Sequence, residues 1–189
     1  WAARVFYSDD GSTAVEVALK MAFRAHAAWN PGLKGRPVGV LGLREGYHGD
    51  TLGAMDAVAP SPYNGPGQTP WYRPRGRFLE APTLGLERGR WVLRWGQDRV
   101  LREFETLRDA FEERRGAAPG RELEYAATVA EAFKGGRGGE VGRRRASRGD
   151  FPSPPGLVPG ALLLEPVLQG AGGMRLVDPA FQRMLVDEA

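Results

Sequence analysis

The 189-residue sequence contains no cysteine. A disulfide scaffold, a thiolate-held zinc and a thiol nucleophile are therefore excluded. Histidine is nearly as scarce, with His26 and His48 alone, so a metal site built on imidazole is not expected. Lysine is the third shortage: Lys20, Lys34 and Lys134 stand against 23 arginines. Any chemistry that needs a particular lysine has three positions to choose from. No apolar run approaches the ~18 residues of a membrane span, so neither a transmembrane chain nor a membrane partner is expected.

Hydrophobic residues make up 42% of the chain, enough to build a core, and the formal net charge is +3. The length suits one domain or part of one. The chain opens Trp1-Ala2-Ala3 without Met and stops at Ala189 inside a helical pattern, which leads us to expect an internal fragment. No targeting segment is recognisable.

Arg4 to Ser8 (RVFYS) reads as a short buried strand, and Asp9-Asp10-Gly11-Ser12-Thr13 as a turn. From Thr13 to about Trp29 the stripe Val15, Ala18, Leu19, Ala22, His26, Trp29 has helical spacing, and Asn30-Pro31-Gly32 ends it. Pro37 to Leu43 reads as a second buried strand, followed by the loop Gly46-Tyr47-His48-Gly49-Asp50. Strand, helix, strand over about forty residues predicts a βαβ unit and a parallel sheet. Pro60 to Pro74 reads as an ordered surface loop. Residues 98–115 predict a helix with Val100, Leu101, Phe104, Leu107 and Phe111 on one face, and Leu123 to Phe133 a second, with Leu123, Ala126, Ala127, Ala130 and Phe133 inward. Gly135 to Pro159 is a low-complexity insertion. A third apolar strand, Ala161 to Leu164, ends at Glu165-Pro166; a glycine-rich turn follows, and Asp178-Pro179 starts a last helix.

Three constellations fall where chemistry is expected, because ligands of parallel α/β sheets sit at the carboxyl ends of the strands. Gly11, Ser12 and Thr13 stand between a strand and a helix. A helix start offers unpaired N–H groups and positive dipole, Gly11 permits close approach, and the two hydroxyls add donors: a phosphate cradle, or simply a helix cap. Tyr47 and Asp50 follow the second strand, where the ring could stack on a flat ligand and the carboxylate could receive an amine; His48 reads as a loop residue rather than an acid or base. Glu165 closes the third strand, as a site carboxylate or a cap. The run Gly135 to Arg148 has arginines with no interleaved aromatics, which favours a solvated insertion over RNA binding, and no nucleic-acid partner is expected.

The stretches RVFYSDDGSTAVEVALKMAFR, GYHGDTLGAMDAVAPSPY with PWY after it, and LLLEPVLQGAGGMRLVDPAFQRMLV together resemble class III pyridoxal-phosphate aminotransferases. Within that class they are most similar to the diaminopelargonic acid aminotransferases of biotin synthesis, especially the aminotransferase half of the eukaryotic bifunctional members. The resemblance implies an α/β fold: residues 1–189 as part of the large domain of a fold-type I transferase, a mostly parallel sheet flanked by helices, with an insertion at about 135–159. It implies pyridoxal 5′-phosphate as cofactor, with Gly11, Ser12 and Thr13 at the phosphate, Tyr47 on the pyridine ring and in the substrate pocket, Asp50 facing the substrate amine, and Glu165 in the site wall. It implies transfer of an amino group from S-adenosylmethionine to 8-amino-7-oxononanoate, a homodimer in which the Pro60–Pro74 loop is a contact surface, and a mitochondrial or cytoplasmic location. The family's Schiff-base lysine is expected beyond residue 189, so no catalytic lysine is assigned here and the 189 residues alone are expected to be inactive. Asp10 departs from the uncharged polar residue usual in relatives. The alternatives are another class III aminotransferase acting on an amino acid or diamine, or a non-catalytic Arg/Gly-rich nucleic-acid-binding fragment.

Overall fold

A computed structural model describes residues 3–65, 70–96, 98–112, 120–134 and 156–189. The Arg/Gly run, most of the expected insertion and part of the Pro60–Pro74 loop lie outside the described residues.

Two sheets organise the chain. In the first, β1 (Val38–Leu43) is central and pairs in parallel with β2 (Gly76–Leu79) on one side and β6 (Val158–Leu163) on the other. Alternation along β1 divides the core. Val40 packs with Leu19 and Ala57 on one face, the side of helix α1 (Gly11–Trp29). Leu41 and Leu43 face the other way, toward Tyr125, Val129 and Ala132 of α4 (Gly120–Phe133) and Phe181 and Leu185 of α5 (Pro179–Glu188). Helices thus cover both faces, as a buried parallel sheet requires. Each such leucine or valine contributes roughly 1.5–3 kcal/mol by leaving water.

The second sheet is antiparallel, ordered β5-β4-β3-β8-β7: Arg99–Phe104, Arg90–Trp95, Pro82–Glu87, Arg175–Val177 and Leu168–Gln169. Strands β3 and β4 are joined by Arg88-Gly89, both at positive φ (49° and 81°), the pattern of a two-residue hairpin turn. The α/β character and the parallel sheet agree with the sequence reading, but the larger sheet is antiparallel.

Three expectations are corrected. Arg4 to Ser8 forms neither a strand nor a buried segment: it pairs with none of the described strands, and Tyr7 is 88% exposed. Its apolar residues mimic a strand, but a strand exists only where a neighbour accepts its ladder. Residues 98–115 are not one helix. The first part is β5, held by pairing Trp91 to Phe104 and Trp95 to Arg99, and among the described residues the helix α3 spans Leu107–Glu112. Thr106 starts it: the Thr106 N–H donates to Asp109 and the Asp109 N–H to the Thr106 hydroxyl, a reciprocal cap in the sequence T-x-x-D. Finally, α4 is rotated from the expected face. Leu123 is 70% exposed, Tyr125, Val129 and Ala132 point inward, and of the expected face Phe133 packs against the core. An aromatic cluster sets that rotation, Tyr125 meeting Trp95 and Phe181 edge-to-face at 5.3 and 5.2 Å, with its hydroxyl donating to buried Asp178 at 2.8 Å.

Helix α5 begins as read. Asp178 caps it by accepting the Ala180 N–H at 3.0 Å, and Pro179 occupies its first position.

Candidate functional site

Three connections meet at the carboxyl ends of β1 and β6: the start of α1, the loop after β1, and the turn after β6. Gly49 (φ 120°) presses its backbone against Ser12, leaving no room for a side chain there. In the short helix Leu52–Asp56 that follows this loop, the Gly53 N–H donates to Glu16 of α1 at 2.9 Å. The loop carrying Tyr47 and Asp50 is thereby fixed to the helix start.

Glu165 ties the same loop to the β6 turn. Its Oε1 accepts the Tyr47 N–H and its Oε2 the Gly170 N–H, each at 2.9 Å. Buried Gln169 donates from Nε2 to the Arg44 carbonyl at 2.7 Å, while its Oε1 has no hydrogen-bond partner among the described residues. Gly172 lies so close to the Glu45 carbonyl that a Cβ could not be placed. Strain concentrates here: Glu45, Val167 and Met174 adopt φ of 63°, 69° and 55°, conformations that a β-branched residue such as Val167 rarely takes.

At the start of α1, Asp10 is the cap. Its Oδ1 accepts the Thr13 N–H at 3.0 Å, and the Asp10 N–H returns a bond to the Thr13 hydroxyl at 3.3 Å. The Ser12 hydroxyl also donates to Asp10, at 2.9 Å, and the Thr13 hydroxyl to Asp9 at 2.8 Å. These bonds hold both exposed carboxyls below their usual range: Thr13's hydroxyl contributes most for Asp9, and Thr13's N–H most for Asp10. The capping role that the spacing left open for Ser12 or Thr13 belongs chiefly to Asp10.

Tyr47 leaves 45% of its surface exposed at this edge. The Asp50 carboxylate, hydrogen-bonded to the Tyr47 hydroxyl, raises the phenol above its ordinary value. His48 is half-buried; desolvation pushes its imidazole below the ordinary value, opposed by the Glu165 charge, so the ring is neutral at pH 7. The sequence-predicted residues Gly11, Ser12, Thr13, Tyr47, Asp50 and Glu165 thus come to one edge. Residues that sequence reasoning missed are Gln169 and, on α5, Gln182, whose signal, a glutamine buried beside a strained turn, exists only in three dimensions. Among the described residues no group of three or more His, Asp or Glu is placed to hold a metal.

Over all of its length the chain is 40% identical to the bifunctional dethiobiotin synthetase/7,8-diamino-pelargonic acid aminotransferase, mitochondrial, of Arabidopsis thaliana, covering 22% of that protein. It is 38% identical to the protein of the same name from Oryza sativa subsp. japonica, again over the whole chain and 23% of the relative. A third relative, the adenosylmethionine-8-amino-7-oxononanoate aminotransferase of Synechococcus elongatus, is 31% identical over 96% of this chain and 30% of its own. The chain is a homologue of the diaminopelargonic acid aminotransferases. It spans less than a third of the length of these curated relatives. No family model matches it.

Aminotransferase homology implies pyridoxal phosphate in general, and Gly11, Ser12 and Tyr47 are the candidate residues for its phosphate and its ring. Among the described residues nothing lies within 4 Å of where a Gly11 side chain would be, so the start of α1 has an opening at Gly11, while the Asp10 carboxylate takes the Thr13 N–H and the Ser12 hydroxyl next to it. The Ser12 hydroxyl stands beside that opening, and the Tyr47 ring lies exposed on the loop that Gly49 holds against Ser12. The three lysines of the chain lie elsewhere. Lys20 is exposed on α1, Lys34 follows the 3-10 turn Pro31–Leu33, and Lys134, at the end of α4, lies 3.9 Å from Glu131.

Proposed function

We propose that this chain supplies the phosphate-binding and ring-facing side of a pyridoxal-phosphate aminotransferase that moves an amino group from S-adenosylmethionine to 8-amino-7-oxononanoate. The observation that carries the reading is the Gly49–Ser12 contact, which brings the Tyr47 loop onto an open helix start in a chain homologous to such enzymes along its length.

In this reading Gly11 and Ser12 hold the phosphate at the positive end of α1, with Thr13 keeping the helix start in shape. Tyr47 packs on the ring, with the Asp50 carboxylate beside its phenol at the substrate side, where that carboxylate receives an amine. Glu165 is part of the wall and holds the Tyr47 backbone. Bound cofactor supplies the electron sink for amino transfer. The lysine that bonds it comes from outside these 189 residues, because none of the three present lies at the site. The whole protein forms a homodimer, with exposed Tyr63 and Trp71 at the contact; Tyr72 is buried within its own fold, its hydroxyl donating to the Val58 carbonyl at 2.8 Å. The plant relatives are named mitochondrial, and mitochondria are the compartment we assign.

The test is incubation of the purified chain with pyridoxal phosphate, followed by borohydride reduction and peptide mapping. We expect saturable, reversible cofactor binding that inorganic phosphate competes away, no stoichiometric labelling of Lys20, Lys34 or Lys134, and no diaminononanoate formed. No saturable binding, or stoichiometric labelling of one of the three lysines with product formed, overturns the reading.

A further inference from the structure

We infer that Gln182 is a positioning residue for the site, acting through Glu165 to fix Tyr47. This rests on the reading of Tyr47 as the ring-facing residue. Gln182 belongs to the first full turn of α5 and is buried. Its two amide atoms take opposite roles on the turn after β6. Nε2 donates to the Glu165 carbonyl, and Oε1 accepts the Val167 N–H, both at 2.8 Å. The two backbone groups flank Pro166, which has no N–H of its own to offer. Spanning them calls for one donor and one acceptor at a fixed separation, which a carboxamide provides; asparagine would be one methylene too short.

The clamp has a consequence at the site. Val167 is β-branched and sits at φ 69°, a conformation kept only where surrounding bonds enforce it. With residues 165 and 167 held from α5, the Glu165 side chain leaves the turn in the direction that lets Oε1 meet the Tyr47 N–H and Oε2 the Gly170 N–H. The order of causes is α5, the strained turn, the carboxylate, and then the Tyr47 backbone. Gln182 touches neither Tyr47 nor the open start of α1 in this chain of bonds; it sets where the ring is presented.

The experiment compares the 189-residue chain with Gln182→Leu and Gln182→Glu. The glutamate keeps the side-chain length and the bond from Val167 but faces the Glu165 carbonyl with a second acceptor, so it carries the comparison if the leucine variant does not fold. Amide exchange is followed by NMR, and affinities for pyridoxal phosphate and inorganic phosphate are measured separately. We expect exchange at Tyr47 and Gly170 to accelerate about tenfold or more while the β1 amides of Leu41 and Leu43 stay within about twofold. Pyridoxal phosphate affinity falls about fivefold or more, and inorganic phosphate affinity stays within about twofold, because the cradle at α1 is untouched. Uniform acceleration that includes β1, or parallel loss of both affinities, would mean that Gln182 is only a structural prop and overturns the inference; so does unchanged exchange at Tyr47 and Gly170. If the unsubstituted chain binds no pyridoxal phosphate, the proposed function fails, and the exchange comparison still decides whether Gln182 positions Tyr47.

Discussion

Gly11 occupies the first position of a 19-residue helix, where neither sterics nor backbone conformation calls for glycine. A Cβ there would meet nothing within 4 Å, and Gly11 is absent from the positive-φ glycines. Helix physics alone favours alanine by up to about 1 kcal/mol, less at a first turn. Gly11→Ala should therefore raise the melting temperature by about 1–3 °C, using roughly 2–4 °C per kcal/mol for a chain of this size. If the position serves a phosphate that packs onto the backbone, the added methyl stands in its way. A charge-assisted hydrogen bond contributes about 1.5–3 kcal/mol, so its loss weakens pyridoxal phosphate binding by about 10- to 100-fold. Stability and affinity then move in opposite directions. Thermal melts and a fluorescence titration read both. Gly49→Ala gives the contrast, because φ 120° and the Ser12 contact predict losses in stability and affinity together. An alanine at position 11 that stabilises the chain and leaves the affinity within about twofold would refute the cradle and leave Gly11 as an ordinary helix start.

Asp10→Asn keeps a capping oxygen for the Thr13 N–H but removes a charge from beside the same opening. Phosphate should bind several-fold tighter at low salt, the gain shrinking as ionic strength rises in a phosphate titration; equal affinity at all salt concentrations would show that the carboxylate does not face the ligand. His48 predicts a pH dependence. Its folded pKa lies below the ordinary 6.5, so the unfolded chain takes up the proton first as pH falls. The His48 contribution is complete above about pH 6.5 and is lost below it toward the folded value. Urea midpoints at pH 7.5 and 5.5 should differ less in His48→Asn than in the natural chain, and an equal difference in both would count against the assignment.

The placement of the candidate site residues was legible because they sit at ends of elements with strong local signals. Helix α1, the apolar runs of β1 and β6, and the Asp178-Pro179 start each depend on neighbours in sequence, and they carry Gly11, Tyr47 and Glu165 to one edge; the expected stripe of α1 holds at Val15 and Leu19 but not at Ala18 and Trp29, which are exposed, and Phe23 packs in their stead. Pairing partners are not local, and there the reading failed. Val100, Leu101, Phe104, Leu107 and Phe111 match a helical spacing, yet β4 claims the first three as its partner strand, while β4 itself is fixed to β3 by the Arg88-Gly89 turn. Leu123 looked like a core residue by hydrophobicity alone. The inward face of α4 is chosen instead by Tyr125, which can satisfy its hydroxyl on Asp178. Gln182 was invisible for the same reason: its partners are backbone groups that take their positions only when the turn after β6 has formed.

The bond between the Tyr47 N–H and Glu165 joins residues 118 apart in the chain. Parallel strands cannot be brought together by a tight hairpin, so β6 must find β1 across that whole span. The entropy of closing so long a loop must be met before any contact at the edge offsets it, whereas α1 and the β3–β4 hairpin close locally. The order of events during folding follows: helix and hairpin first, β6 docking late, and the Tyr47–Glu165 contact only after that. An incompletely folded chain would already have much of its secondary structure but would have no pocket for a cofactor. If the edge binds a cofactor as proposed, acquisition of binding marks the end of folding, and a ligand that arrives then holds together the slowest-formed part of the molecule.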